Sequence, residues 1–215
     1  LGLRVDVIEM ADRLLARVAS PQISAFFAEL HQSHDVELHI GANCQEILQK
    51  DGAFTGVQLG DGSQIAAELL LVGIGVLPDL ELAQSAGIMT GNGILVDAMM
   101  QSSVQDIFAI GDVALIDRAA LRIESVDNAQ MTAARAAAAI CGLAQPAMAA
   151  PWFWSEQFDV RLQSAGIVPL ATPDLRHQLR PGKREGGFSV WSYCDNGELA
   201  AVEAVRDPAG YMLGK

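Results

Sequence analysis

The 215 residues are 51% hydrophobic and 19% charged, with a formal net charge of −12. That balance describes one or two globular domains rather than a disordered chain, and its acidity excludes general nucleic-acid binding, which needs a basic face. No apolar run approaches the ~20 residues a membrane span needs, and no basic leader with an apolar block and cleavage site opens the chain. Cys44, Cys141 and Cys194 are odd in number and far apart, as in a cytoplasmic protein with reduced thiols; no CxxC supports a zinc ribbon or a local dithiol.

In chain order, LRVDVIEM reads as a buried strand ending on Glu9. SPQISAFFAELHQSH reads as a helix: Ser20 can cap it, Pro21 suits its first turn, and Ile23, Phe26, Phe27 and Leu30 form one stripe. VELHI is a second strand. The stretch from Glu46 to Gly75 reads as an antiparallel layer, with hairpin signals at Asp51-Gly52 and Asp61-Gly62. DLELAQSAG is a short helix closed by Gly87. GILV and IFAI are short strands, and DNAQMTAARAAAAICG is an Ala-rich helix begun near Asp127 or Asn128 and stopped at Gly142. LAQPAMAAP is a linker, and beyond it the texture is β-rich, with a hairpin turn at Asn196-Gly197. The order is α/β with an inserted antiparallel layer.

Several groupings could carry chemistry. In IFAIGDVA, Gly111 and Asp112 are either a plain turn or a ligand site, where glycine lets a bound molecule approach and the carboxylate accepts from sugar-type hydroxyls. Glu9, at a strand end, is either a solvated acid or the acid that holds a nucleotide ribose; the glycine fingerprint that should precede it is not in the sequence. GIGVLP, residues 73–78, lacks a third glycine and is no substitute. RIESVDNAQ precedes the Ala-rich helix, whose first N–H groups can meet a polar ligand or an ordinary cap. Trp152 and Trp154 of PWFWSEQFD share one face of an extended segment and either cover a planar ligand or fill a core. Arg176, His177, Arg180, Lys183 and Arg184 form a basic cluster in an acidic chain, either a solvated loop around Pro181 and Gly182 or a surface that steers an acidic partner. The four histidines show no metal spacing, and no GxSxG nucleophile motif is present.

The succession VIEMADRLLARV, GIGVLPDLELAQSAGI, IFAIGDVA, RIESVDNAQ and PWFWSEQFD resembles the FAD-dependent ferredoxin and rubredoxin reductases, the putidaredoxin reductase-like proteins and the reductase components of aromatic-ring dioxygenases. The likeness covers nearly the whole chain. It implies an α/β fold of the two-dinucleotide flavoprotein type, Rossmann-like with an antiparallel β-meander, followed by a β-rich α+β C-terminal domain. It implies FAD and NADH as cofactors. Asp112, with Gly111, resembles the Asp on the ribityl chain. Val126, after Ser125, matches the position whose backbone faces the flavin ring. Trp154 resembles the aromatic beside that ring, near the exit for electrons. Glu9 resembles the acid on the NADH adenosine ribose, Arg17 the arginine near the adenine end, and Gly73 the backbone that approaches the nicotinamide side.

The resemblance implies an NADH-dependent reductase that passes electrons through FAD to a ferredoxin or rubredoxin supplying an oxygenase, with no proton-transfer residue and no metal. The alternatives are a related pyridine-nucleotide disulfide oxidoreductase or NADH oxidase, or a module with no activity of its own. Both glycine fingerprints of the family are missing, so the chain reads as an internal fragment that by itself purifies without flavin. On this reading residues 1–70 are the back of the NAD domain, 71–148 the returning part of the FAD domain, and 149–215 an incomplete C-terminal reductase domain.

Overall fold

A computed structural model describes residues 2–117, 121–168 and 175–215. The chain divides into two compact units, Leu1–Ile74 with Ile167–Gly214, and Gly75–Gly166 with Lys215.

In the first unit, β1 (Val5–Glu9) pairs in parallel with β2 (Val36–Ile40), Val5 opposite Val36 and Glu9 opposite Ile40. Between them runs α1 (Pro21–Ser33). Pro21 sits in its first turn, where a missing N–H costs nothing, and Ile23 and Phe27 are fully buried. Ser20 is the N-cap residue, but its hydroxyl caps nothing. β3 (Cys44–Lys50), β4 (Ala53–Leu59) and β5 (Gln64–Ala66) form an antiparallel meander. Its core is Val57, Leu59 and Ile65, with Ile8 of β1 packed against it. Both Asp-Gly pairs turn the chain as the sequence implies, but the meander ends at Ala66. Residues 67–78 join no ladder, and Leu69, Leu71, Val72, Ile74, Val76 and Leu77 are exposed. Apolar side chains alone do not make a strand; a partner edge must be present.

The same unit holds β11 (Arg176–Pro181), β12 (Phe188–Tyr193) and β13 (Leu199–Val205), antiparallel neighbours in that order. Asn196-Gly197 makes the β12–β13 turn, with Gly197 at φ +83°. A last helix, α4 (Pro208–Gly214), lies against β12 and β13.

The second unit begins with α2 (Glu81–Ser85), closed by Gly87 at φ +70°. β6 (Thr90–Gly91) and β7 (Gly93–Val96) make a tight antiparallel pair, and β7 then pairs in parallel with β8 (Ala114–Ile116). IFAI is therefore not the strand: it is extended but makes only an isolated bridge from Phe108 to Gln101. The ladder forms after the Gly-Asp pair, not before it. α3 (Val126–Ile140) follows, and its Ala136 joins Val96, Met100, Ala109 and Ala114 in the core. β9 (Trp152–Gln157) and β10 (Val160–Gly166) are an antiparallel hairpin with Trp154 opposite Gln163. No helix among the described residues is long and apolar enough to cross a membrane.

Candidate functional site

The Gly-Asp pair sits in a 3₁₀ turn, Gly111–Val113, whose position is set by α3. Gly111 has φ +68°, a left-handed conformation that a side chain would strain. Its buried N–H donates to the Thr132 hydroxyl at 2.9 Å, and that hydroxyl donates to the Asn128 carbonyl at 2.7 Å. Thr132 thus meets the turn from inside the unit, and Asn128, one helical turn earlier, supplies the carbonyl that orients its hydroxyl. The Asn128 side chain donates in turn to the Ile123 carbonyl at 2.8 Å. Ser125, not Asp127 or Asn128, is the N-cap: extended at φ −154°, it accepts from the Asn128 N–H at 3.1 Å.

Arg122 completes the frame. Its side chain is only 7% exposed and pairs with Glu124 at 2.6 Å. It also donates to the Asn92 carbonyl at 2.9 Å and to the Asp112 carbonyl. Gly93 allows this closeness: a Cβ there would lie 2.7 Å from the Val113 carbonyl oxygen and 2.9 Å from Arg122 Cδ. Arg122 and Thr132 are the residues that sequence reasoning passes over. The Asn128–Thr132–Ala136 spacing carried a signal for Thr132, but what Arg122 meets depends on where β7 passes.

Around this frame three candidate side chains face solvent. Asp112 is exposed, Val126 is 56% exposed and Trp154 is 40% exposed. Trp154 stands on β9, which touches α3, and its ring lies 5.6 Å from that of Trp152 at a 30° tilt. Trp154 is therefore not buried filler in this unit. The first N–H groups of α3, at Val126 and Asp127, are left over by the helix ladder. An acceptor carboxylate, free backbone donors and a flat exposed ring fit the hydroxylated chain and planar ring of a flavin nucleotide. They do not supply a pyrophosphate cradle, and the sequence holds no GxGxxG.

The nucleotide-side candidates lie in the other unit and are less supported. Glu9 ends β1, and its carboxylate accepts from the Ala11 N–H at 2.8 Å, a turn of the chain that leaves its second oxygen available. Arg17 is exposed on the loop before α1, and Gly73 lies in the exposed run after the meander with nothing within 4 Å of where a Cβ would be. Asp6, Glu37 and His39 bring their ligand atoms within 4.8 Å of one another across β1 and β2. Asp6, however, is already engaged by His39 at 2.9 Å and Arg4 at 3.1 Å. Burial acts to raise its carboxyl, and the His39 and Arg4 hydrogen bonds together with the charges of those two groups outweigh it, holding it below the ordinary value.

The basic cluster is only partly a loop: Lys183 and Arg184 lie in the turn after Pro181. Arg176, His177 and Arg180 belong to β11. Arg176 lies over the Tyr193 ring at 5.5 Å, and Arg180 over the Trp191 ring at 4.0 Å while donating to the Tyr193 hydroxyl at 2.9 Å. Aromatic faces on β12 thus hold the cations in place. A cavity of about 370 Å³ beside them is lined by Arg180, Lys183, Trp191, Asp207 and Leu213 and by none of the candidate cofactor residues. All three cysteines are free.

Residues 1–133 match the family model described as pyridine nucleotide-disulphide oxidoreductase. The chain belongs to that family. Residues 152–215 match a second model, described as reductase C-terminal. Over its full length the chain is 39% identical to the 5,5'-dehydrodivanillate O-demethylase ferredoxin reductase subunit of Sphingobium sp. (strain NBRC 103272 / SYK-6), covering 53% of it. It is 36% identical to putidaredoxin reductase of Pseudomonas putida, covering 51%. Among solved structures, the ferredoxin reductase for the CYP199A2 system from Rhodopseudomonas palustris superposes with a TM-score of 0.91 at 39% identity, over 99% of this chain and 53% of that one. The reductase of the covalent putidaredoxin reductase–putidaredoxin complex gives a TM-score of 0.91 at 33% identity, over 99% and 52%. The chain spans about half the length of the curated relatives it matches. The expected fold class holds: an α/β dinucleotide-oxidoreductase architecture with a β-rich C-terminal part.

Proposed function

We propose that the protein to which this chain belongs is an NADH-dependent flavoprotein reductase of the cytoplasm, which passes electrons from NADH through FAD to a ferredoxin or rubredoxin that supplies an oxygenase. The observation that carries this reading is the reductase C-terminal match over 152–215, which follows the oxidoreductase match over 1–133 in the same chain. The relatives' names, ferredoxin reductase and putidaredoxin reductase, support the same reading. We keep the division into residues 1–70, 71–148 and 149–215 as NAD, FAD and C-terminal reductase portions.

A bound flavin would supply the redox chemistry, taking a hydride and releasing electrons singly; the chain's own residues bind and orient. On this reading the Asp112 carboxylate accepts from a ribityl hydroxyl, with Gly111 leaving the backbone open to approach. Ser125 fixes the start of α3 so that the Val126 backbone faces the ring. Trp154 covers the ring and excludes water from the electron exit. Glu9 accepts from the adenosine ribose hydroxyls of NADH and repels a 2′-phosphate. Arg17 lies toward the adenine, and the Gly73 backbone approaches the nicotinamide. None of these steps needs a proton-transfer side chain or a metal.

The test uses the full-length protein. We expect a flavin absorbance band that bleaches with stoichiometric NADH under argon, and NADH-driven reduction of cytochrome c only when a ferredoxin or rubredoxin is added. Consumption of a disulfide substrate in place of that relay would instead establish the pyridine-nucleotide disulfide oxidoreductase reading. The 215-residue chain alone, lacking a GxGxxG turn, is expected to purify colourless.

A further inference from the structure

Glu203 is fully buried, at 0% exposure, on β13. Both of its carboxyl oxygens reach a single donor, the Ser20 backbone N–H, at 3.0 and 3.1 Å. These residues are 183 positions apart and fall in the two different family matches, 1–133 and 152–215, yet they lie in one compact unit. Glu203 stands opposite Val190 of β12, with Phe188 two residues back on the same sheet face. Phe188 meets Phe26 of α1 edge-on at 5.3 Å. The helix therefore rests on this face of the sheet, and Glu203 lies beneath its N-terminus.

A carboxylate can accept about four hydrogen bonds, and this one has a single N–H between its two oxygens. Burial opposes its ionised form; the Ser20 bonds and the charge of Arg13 favour it. Burial prevails, and the carboxyl is pushed up to about 7. The charged and titratable groups that bear on it are few. Arg13, from the loop before α1, is already committed to the Ala19 and Ala16 carbonyls and the Ser24 hydroxyl. His177, from β11, bonds the Ser192 hydroxyl at 2.9 Å and is held below its ordinary value by burial and by Arg13. α1 itself contributes the Ser20 hydroxyl at its cap, which is buried and hydrogen-bonds no protein atom in good geometry.

We propose that Glu203 is a proton-operated joint between α1 and the β11–β13 sheet. Protonated, it accepts from the Ser20 N–H and donates to the Ser20 hydroxyl after a small rotation of that serine, so both buried groups are satisfied. Ionised, it can accept from the Ser20 N–H and, after the same rotation, from the Ser20 hydroxyl, but it then places a desolvated charge with no committed cation in the helix–sheet contact, and the contact loosens. Two family modules in one chain are thereby joined through a group that changes charge near neutral pH.

The sign follows from linkage. In the unfolded chain Glu203 ionises near its ordinary value, so between there and about 7 only the folded state keeps the proton. Its contribution to stability is complete below that window and is lost as pH rises through it. His177 acts in the opposite sense, because its folded form resists protonation. The readout is therefore the difference between the wild-type chain and Glu203→Gln, both of which retain His177. In urea unfolding of the 215-residue chain from pH 4.5 to 8, the folded-to-unfolded ratio of wild type should fall relative to the variant by about tenfold per pH unit, on the order of a hundredfold in all. Parallel pH curves would overturn the proposal. Carbon-detected NMR of wild-type chain labelled in its glutamate carboxyls gives a second test that needs no variant to fold. A Glu203 carboxyl titrating near pH 7 is expected, and one titrating between 4 and 5 would refute the joint.

Discussion

The residues proposed for the flavin side and those proposed for the nucleotide side are held in very different ways. Around Gly111 and Asp112, Arg122 binds two carbonyls and a carboxylate, while Thr132 and Asn128 bind the turn and the segment leading into α3. Around Glu9 the support is one local hydrogen bond to Ala11, and Arg17 and Gly73 are exposed. Buried polar side chains that fix a turn couple a site to stability; exposed residues at element ends do not. Substitutions in the buried frame around the first set should therefore unfold or loosen the chain, whereas those at exposed residues of either set should change only what it recognises.

The sharpest way to break that contrast is Arg122→Ala. It removes hydrogen bonds to a nearly buried guanidinium, each worth roughly 1.5–3 kcal/mol when one partner is charged. We expect a loss of about 3 kcal/mol or more in urea unfolding of the 215-residue chain; a loss under about 1 kcal/mol would show that the frame does not hold the turn. Next in size is Thr132→Val, which keeps the shape and strands the buried Gly111 N–H. The cost should be about 1–3 kcal/mol, largely recovered in Thr132→Ser. On the nucleotide side, Glu9→Ala should leave the melt almost unmoved. In the full-length protein it should lower kcat/KM for NADH about tenfold or more and narrow the preference over NADPH, since a charged hydrogen bond of ~1.5–3 kcal/mol is lost. An unchanged preference would return Glu9 to a solvated acid. Trp154→Ala should also cost little stability. Its ring is partly exposed, and its pairing with Trp152 is worth about 0.5–1.5 kcal/mol. Stopped-flow should find hydride transfer from NADH nearly intact and reduction of the iron–sulfur partner slowed. Equal damage to both half-reactions, with a drop of ~3–5 kcal/mol, would mark a core residue instead.

Much of the fold could be read from the sequence because its signals are local. Pro21 with the Ile23–Phe27 stripe placed α1, the Ala-rich run placed α3, and Asp51-Gly52, Asp61-Gly62 and Asn196-Gly197 placed three turns. The misread strands and the misread basic residues were questions of partnership. IFAI and the run from Leu69 to Leu77 are as apolar and β-branched as true strands, but ladder pairing is a non-local fact. The basic residues of β11 looked like a loop because the aromatic faces that carry Arg176 and Arg180 come from another strand. The sequence places the start of α3 near Asp127 or Asn128, within a residue or two of Val126, and leaves open which of Ser, Asp and Asn caps it; backbone geometry selects Ser125. α4 escaped notice because Pro208, Gly210 and Gly214 hide its periodicity. At the candidate site, the residues proposed to face a ligand were picked out by type, whereas Arg122 was not legible because its carbonyl partners come from beside β7 and from the turn, and Thr132 was legible only through its spacing from Asn128 and Ala136.

The exposed run from Leu69 to Leu77 also bears on how the chain behaves in a tube. Ile74 is 90% and Leu77 93% exposed, and no charged residue interrupts the nine positions. A stretch of this composition with unpaired backbone is a template for its own copies: two such edges can zip together wherever concentration allows. Handling therefore becomes a matter of colloidal chemistry as much as of folding. A lysine placed at Ile74 would act as a gatekeeper against that zipping.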